Sequence, residues 1–193
     1  TKALPKTVPD ITKSIGIDLG CKTAATCSDG TKVDGRWFRE LEPKLVVAQR
    51  ANKKTRVKAI HAKIKNKRND ALHKLTTSLV ENNEVIIVGD VSSEKIAKTN
   101  RAKSVYDAGW GKIKVMLNYK SHLAGVMFDV VNERYTTQTC SQCGSIEGTR
   151  GLNGLGIREW TCSCGAIHDR DVNSAINILA RGHARLVAGI YSL

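Results

Sequence analysis

Asp18 is the residue that first calls for chemistry. It stands alone in the apolar run Ser14-Ile15-Gly16-Ile17-Asp18-Leu19-Gly20. An ionised carboxylate in the middle of a buried strand is costly unless it is paired or binds a metal. The flanking Gly16 and Gly20 leave room for a backbone or a ligand to come close. A second kind of chemistry lies late in the chain, where Cys140 and Cys143 form C-S-Q-C and Cys162 and Cys164 form C-S-C-G. Two short-spaced pairs about twenty residues apart predict a tetrahedral zinc site built from four thiolates, closed and therefore structural. The second pair is one residue shorter than the usual C-x-x-C, which strains its turn, and His168 is the residue that could replace one thiolate. Cys21 and Cys27 lie apart, near a predicted strand, and read as small core residues. Six cysteines without a disulfide pattern or an export signal predict a reducing, intracellular setting and a cytoplasmic protein.

The elements that must position these groups alternate in type. Residues 13–38 read as a strand pair turning at Asp29-Gly30, with Lys32 to Phe38 as the returning strand. From Glu40 to Glu81 the pattern is helical, with Val57, Ile60, Ile64, Ala71, Leu72, Leu75 and Leu79 on one seam. Val85 to Val88 is a buried strand ending at Gly89-Asp90, and a polar loop rich in Ser, Lys and Asn follows. Val105 to Ala124 is helical and closed by Gly125, then Val126 to Val131 makes a strand ending at Asn132-Glu133. Strand, helix, strand over this length predicts a parallel pair. Asp171 opens a last helix that Gly182 can cap.

Charge sets the partner class. The 193 residues carry 31 Lys+Arg against 18 Asp+Glu, a formal net charge of +13. With 41% hydrophobic and 25% charged residues the chain is globular, not disordered or fibrous. No apolar run approaches the roughly 18 residues of a membrane span, so no membrane partner is expected. The excess charge points to a polyanion, nucleic acid first. Lys53, Lys54, Arg56, Lys63, Lys67 and Arg68 crowd the faces of the long helix away from its apolar seam and are the candidates for backbone phosphate contact. The chain begins at Thr1 and not at Met, which predicts a fragment or a processed product.

Gly16-Ile17-Asp18-Leu19-Gly20 alone fits both actin-like ATPases with sugar kinases and ribonuclease-H-like nucleases. The second half separates them. Cys140-x-x-Cys143, Arg158-Glu159-Trp160-Thr161-Cys162-Ser163-Cys164-Gly165 and His168-Asp169-Arg170-Asp171-Val172-Asn173-Ser174-Ala175-Ile176-Asn177-Ile178 resemble the end of the transposon-encoded TnpB nucleases. Asp107-Ala108-Gly109-Trp110-Gly111 and Tyr135-Thr136-Thr137-Gln138-Thr139 extend the match, which runs from about residue 14 to 183. No second phosphate-binding glycine loop supports the ATPase alternative. TnpB proteins are RNA-guided DNA endonucleases, related to Fanzor proteins and type V CRISPR effectors, with a RuvC-like catalytic domain interrupted by a zinc ribbon. The resemblance therefore implies an α/β fold, a ribonuclease-H-like (RuvC) mixed sheet flanked by helices with an inserted zinc ribbon. It divides the chain into a first nuclease part at 13–136, the ribbon at 137–168 and a last nuclease part at 169–193. Guide RNA and target DNA are the implied partners, and association with the nucleoid follows when DNA is bound. The family's N-terminal recognition lobes are not covered.

RuvC-like chemistry uses three carboxylates and two divalent cations, Mg²⁺ or Mn²⁺, beside the structural Zn²⁺. The resemblance assigns the first carboxylate to Asp18 and the third to Asp171, with Asp169 as a supporting residue. The second is usually a Glu directly after the buried strand, where this chain has Gly89. Asp90, one residue on, would face the opposite side of the strand. Some relatives are similar in carrying a displaced Glu further along, and Glu133 lies 44 residues after Gly89 at the end of the neighbouring parallel strand. Parallel strands end on one edge of the sheet, so a long Glu side chain there could enter the space left by Gly89. The implied activity is Mg²⁺-dependent DNA cleavage. The missing Glu at Gly89 motivates the alternative, a nuclease-inactive guided DNA-binding protein that occludes its target.

Overall fold

A computed structural model describes residues 9–91, 102–150 and 153–189. The polar loop expected after Asp90 falls largely outside them. Five strands form one mixed sheet: β1 (Ser14–Asp18), β2 (Thr23–Cys27), β3 (Lys32–Asp34), β4 (Val85–Gly89) and β5 (Met127–Val131), in the order β3-β2-β1-β4-β5. β1 runs antiparallel to β2 and parallel to β4, and β4 runs parallel to β5 in a register from Val85↔Met127 to Gly89↔Val131. The predicted parallel pair is present.

Residues 13–38 hold three strands where two were expected. Asp29-Gly30 turns β2 into β3, with Gly30 at φ 89° and the Asp29 carboxylate accepting the Thr31 N–H. β2 reads Thr-Ala-Ala-Thr-Cys, too small and too little alternating to announce itself. The returning strand stops at Asp34, because Trp37 and Phe38 already belong to helix α1 (Trp37–Arg50). The long predicted helix is likewise two, α1 and α2 (Lys54–Asn82), broken where Asn52 takes a left-handed backbone at φ 51°. α3 (Ala102–Ala108) and α4 (Trp110–Ala124) are separated by Gly109 at φ 71°, and Gly125 at φ 72° ends α4 as predicted.

Strand parity builds two layers over the sheet. Ile15, Ile17, Ile86 and Val88 join Leu72, Ile113 and Leu117 in the main core beneath α1, α2 and α4. Val85 and Ile87, pointing the other way, pack with Val131 and Ile178 under helix α5 (Arg170–Val187). Gly16, Asp18 and Gly89 share this second face by the same parity. A Cβ at Gly16 would collide with the Ala175 carbonyl, so glycine is what lets α5 lie against β1. α5 differs from expectation at both ends. Its N-cap is Asp169, whose carboxylate accepts the N–H groups of Asp171 and Val172, and Asp171 sits in the first turn. Gly182 is no cap: it lies inside the helix, where a side chain would strike Ile87.

Candidate active site

Asp18 closes β1 on the α5 face. Ser174 of α5 donates to its Oδ1 at 2.9 Å. Burial pushes the Asp18 carboxyl up to about 8; the Ser174 bond opposes this, while Glu133 and Asp171 add repulsion. The turn that follows is tied down by Trp110, whose indole N–H donates to the Gly20 carbonyl at 2.8 Å.

Glu133 stands just beyond β5, at the edge where β4 ends. Its side chain turns toward Gly89. A Cβ built at Gly89 would lie 2.8 Å from Glu133 Oε2 and 3.4 Å from Glu133 Cβ. The carboxylate therefore fills the volume that a side chain at position 89 would claim. Oε2 is buried and has no hydrogen-bond partner among the described residues. Burial pushes this carboxyl up to about 7, with Lys114 opposing and Asp90 adding to the rise. A buried acidic oxygen without a partner is costly when ionised. Asp90 belongs elsewhere: its exposed carboxylate pairs with Lys114 at 3.1 Å.

Asp171 completes the group from the first turn of α5. Arg158 holds its Oδ2 at 2.6 Å and Arg170 its Oδ1 at 2.9 Å. Asp18, Glu133 and Asp171 line one cavity of about 740 Å³, which Lys22, Arg36, Arg39, Arg158 and Arg170 also line. A cavity lined by both acids and cations suits a phosphodiester. The three sequence candidates thus line the same cavity. The cations of the cavity were not foreseen as such, although Arg158 and Arg170 lie inside the motifs that carried the resemblance; Arg36 and Arg39 carry no local signal. Asp107 also lines the cavity, where it accepts the Phe38 N–H at 2.8 Å and so caps α1 from a distance.

The four late cysteines meet at one point. Their sulfurs all lie within 4.8 Å of one another, with Cys140–Cys164 at 3.8 Å and Cys143–Cys162 at 3.6 Å. A zinc tetrahedron has sulfur–sulfur edges of about 3.8 Å, from its Zn–S length, so the cluster can hold a zinc ion. Each pair rides a tight turn closed by a left-handed glycine, Gly144 at φ 81° and Gly165 at φ 88°, which absorbs the short C-x-C spacing. Ser145 pulls the Cys143 thiol down to about 6. The Ala166 N–H favours the Cys164 thiolate, yet burial and the neighbouring sulfurs push that thiol up to about 12. His168 does not replace a sulfur: its Nε2 lies 3.0 Å from Cys140 Sγ, and its ring packs on Trp160. The antiparallel strands β6 (Glu159–Thr161) and β7 (Ile167–Asp169) carry the second turn directly into α5.

The basic helix is split in role. Lys53, the N-cap of α2, and Lys54, Arg56 and Lys63 on it are exposed. Lys67 is engaged with Glu40 at 2.7 Å, and Arg68 donates to the Tyr106 carbonyl at 3.0 Å. None of these six lines the cavity. Among the described residues no helix is long and apolar enough to cross a membrane.

The chain is thus a mixed α/β sheet flanked by helices, with two acids at the ends of its parallel strands, a third in the first turn of the last helix, and a four-cysteine cluster just before that helix. The family described as "Probable transposase" (IS605 OrfB) matches residues 2–100, and "Cas12f1-like, TNB domain" matches residues 110–178. The chain belongs to this IS605 OrfB, or TnpB, family. A protein of Streptomyces pristinaespiralis named "Putative RNA-guided DNA endonuclease" is 37% identical over 94% of this chain and 48% of its own length. The Escherichia coli K12 protein "Putative RNA-guided DNA endonuclease InsQ" is 32% identical over 91% of this chain and 50% of its own. In structure, the chain is similar to Cas12f1 in a complex with sgRNA and target DNA, with a TM-score of 0.66 and 17% identity over 89% of this chain and 50% of that one. The chain spans about half the length of the curated relatives it matches.

Proposed function

We propose that this chain is the catalytic portion of an RNA-guided DNA endonuclease, in which Asp18, Glu133 and Asp171 form the carboxylate set of a RuvC-type site. The observation that carries the reading is the Glu133 carboxylate lying in the space vacated at Gly89, with its buried Oε2 unpartnered. A nuclease-inactive binding protein has no use for that placement. Mg²⁺ or Mn²⁺ held by Asp18, Glu133 and Asp171 would supply the positive charge that activates water and stabilises the departing 3′ oxygen. The protein's own groups do the rest. Asp18 and Glu133 present their carboxyls to the cavity and would hold the cation once ionised. Arg158 and Arg170 clamp Asp171 and would offer their remaining N–H groups to phosphate oxygens in the cavity. Lys22, Arg36 and Arg39 line the path of the strand, and Lys53, Lys54, Arg56 and Lys63 offer a second, sequence-independent contact to guide RNA or target DNA.

The boundaries that go with this reading are a nuclease body at 13–136 and 169–193, with a zinc-holding insert at 137–168. The insert's role is structural, since a closed four-thiolate site leaves no open position for chemistry. Guided cleavage of a matched DNA duplex by the complete protein with its RNA and Mg²⁺ tests the reading. Wild type cuts and Asp18→Asn does not; guided binding without cutting by wild type would overturn it.

A further inference from the structure

Glu133 lies outside the sheet. Asp18 is fixed by strand register, but Glu133 stands two residues past the end of β5, so its turn must be held by other means. Thr136 holds it. The Thr136 N–H donates to the Glu133 carbonyl at 3.1 Å, and Thr136 Oγ1 lies 2.7 Å from the same oxygen. The Thr136 hydroxyl also meets the Ser174 hydroxyl at 2.9 Å, and Ser174 donates to Asp18 Oδ1 at 2.9 Å. Thr136 is 2% exposed and Ser174 0%. Two hydroxyls buried this far are costly unless bonded, and Ala or Val would pack the same space without that cost.

The surrounding bonds keep the pair in place. Asn173 accepts the Ser141 N–H at 2.9 Å and donates to the Thr139 carbonyl at 2.8 Å. Asn177 donates to the carbonyls of Thr136 at 2.9 Å and Thr139 at 2.7 Å. One face of α5 thus grips the segment from Glu133 to the first cysteine turn. Two hydroxyl protons serve three contacts, and the backbone N–H of Thr136 keeps the turn closed whichever way they point.

We propose that the Ser174–Thr136 hydroxyl pair is a positioning device, locking Asp18 and Glu133 into the one arrangement that accepts divalent metal. Both are positioning residues and neither touches the cation. The inference rests on the carboxylate assignment above. It assigns to the α5 face a task beyond packing: it supplies the rigidity that strand register would have given a glutamate at position 89.

Direct Mn²⁺ binding to the full chain, followed by electron paramagnetic resonance, tests it without reference to cleavage. Ser174→Ala and Thr136→Val each weaken Mn²⁺ binding about tenfold, the scale of a lost hydrogen bond to a charged group. Thr136→Ser, which keeps the hydroxyl, stays within about twofold of wild type. The Ser174→Ala/Thr136→Val double variant is no weaker than about tenfold, because two members of one chain are not additive. Metal-free melting of Ser174→Ala, unchanged within a few degrees, separates positioning from folding. Wild-type binding by Ser174→Ala, or additive losses in the double variant, overturns the hydroxyl pair while leaving the carboxylates standing. Mn²⁺ binding insensitive to Asp18→Asn and Glu133→Gln overturns the carboxylate assignment and the inference with it.

Discussion

Adding a single methyl at Gly89 should slow cleavage about 100-fold while leaving the protein folded. In Gly89→Ala the new Cβ would sit 2.8 Å from Glu133 Oε2 and 2.9 Å from Ile178 Cδ1. Ordinary contacts of this kind are about 3.5 Å or longer, so the neighbours must yield by about 0.6 Å. Ile178 is fully buried among Val85, Ile87 and Val131, so its shift is what costs packing energy. Glu133 is the free end of a side chain, so the carboxylate moves. Overpacking of one methyl costs about 1–2 kcal/mol, which lowers the melting temperature of a chain this size by about 3–6 °C. A misplacement near 1 Å in a reacting constellation costs about 100-fold in rate. Single-turnover cleavage with saturating Mg²⁺, paired with a thermal melt, reads both numbers. Cleavage by Gly89→Ala within threefold of wild type would refute the idea that Glu133 works from the space over Gly89. The complementary double change, Gly89→Glu with Glu133→Ala, returns a carboxylate to that volume from the strand itself and is expected to recover part of the lost rate.

Three other outcomes follow from the same geometry. Asp18 and Glu133 have carboxyls raised above their ordinary values, so the folded, magnesium-free protein holds their protons more tightly than the unfolded chain does. The stability these two groups contribute is therefore greatest below the ordinary carboxyl range and is lost as pH rises from about 4 through 8, by on the order of 3 kcal/mol for Glu133 alone; melts in magnesium-free buffer, compared between wild type and the Asp18→Asn and Glu133→Gln variants, show this part of the slope removed in the variants, whereas identical pH profiles contradict it. Chelating zinc releases the turn that Ser141 and Asn173 tie to α5, so strong chelators lower the melting temperature by 10 °C or more, a size set by the roughly 10 kcal/mol of structural zinc sites, and abolish cleavage; unchanged melting with zinc removed, measured by atomic absorption, counts against a structural site. Replacing Lys53, Lys54, Arg56 and Lys63 together by Glu weakens RNA or DNA binding at least tenfold and makes the salt slope shallower by about three to four, while Lys67→Ala and Arg68→Ala disturb melting more than binding; equal salt slopes would remove α2 from the interface.

Much of the site could be read from residue types alone, because strand parity and strand direction are local rules. An aspartate in a buried strand, a glycine at the end of the next parallel strand and a glutamate at the end of the third must meet at one edge of a sheet, and they do. The cysteine spacing predicted its cluster for the same reason, and the left-handed glycines Gly144 and Gly165 explain how C-x-C serves as well as C-x-x-C. What escaped was set by long-range contacts or by single backbone angles. Asn52 breaks the long helix through its own φ, a conformation open to several residue types at no visible sequence cost. Asp169 and Asp171 are equally competent caps by residue type, and their partners, Lys32 for Asp169 and Arg158 with Arg170 for Asp171, are contacts that the local sequence does not announce. Ser174 and Asp18 are 156 positions apart, so no pattern in either segment announces their bond. Gly182 looked like a helix end and is instead a site of close approach to Ile87, a distinction only the packed sheet makes.

The central claim is that Glu133 supplies the second carboxylate of a nuclease. Guided cleavage of a matched DNA target by the complete protein, comparing wild type, Glu133→Gln and Asp90→Asn side by side, tests it most directly. The account predicts cutting by wild type and Asp90→Asn, and a loss of about 100-fold or more in Glu133→Gln with guided binding retained. Wild-type cutting by Glu133→Gln, or loss of cutting in Asp90→Asn alone, would contradict it.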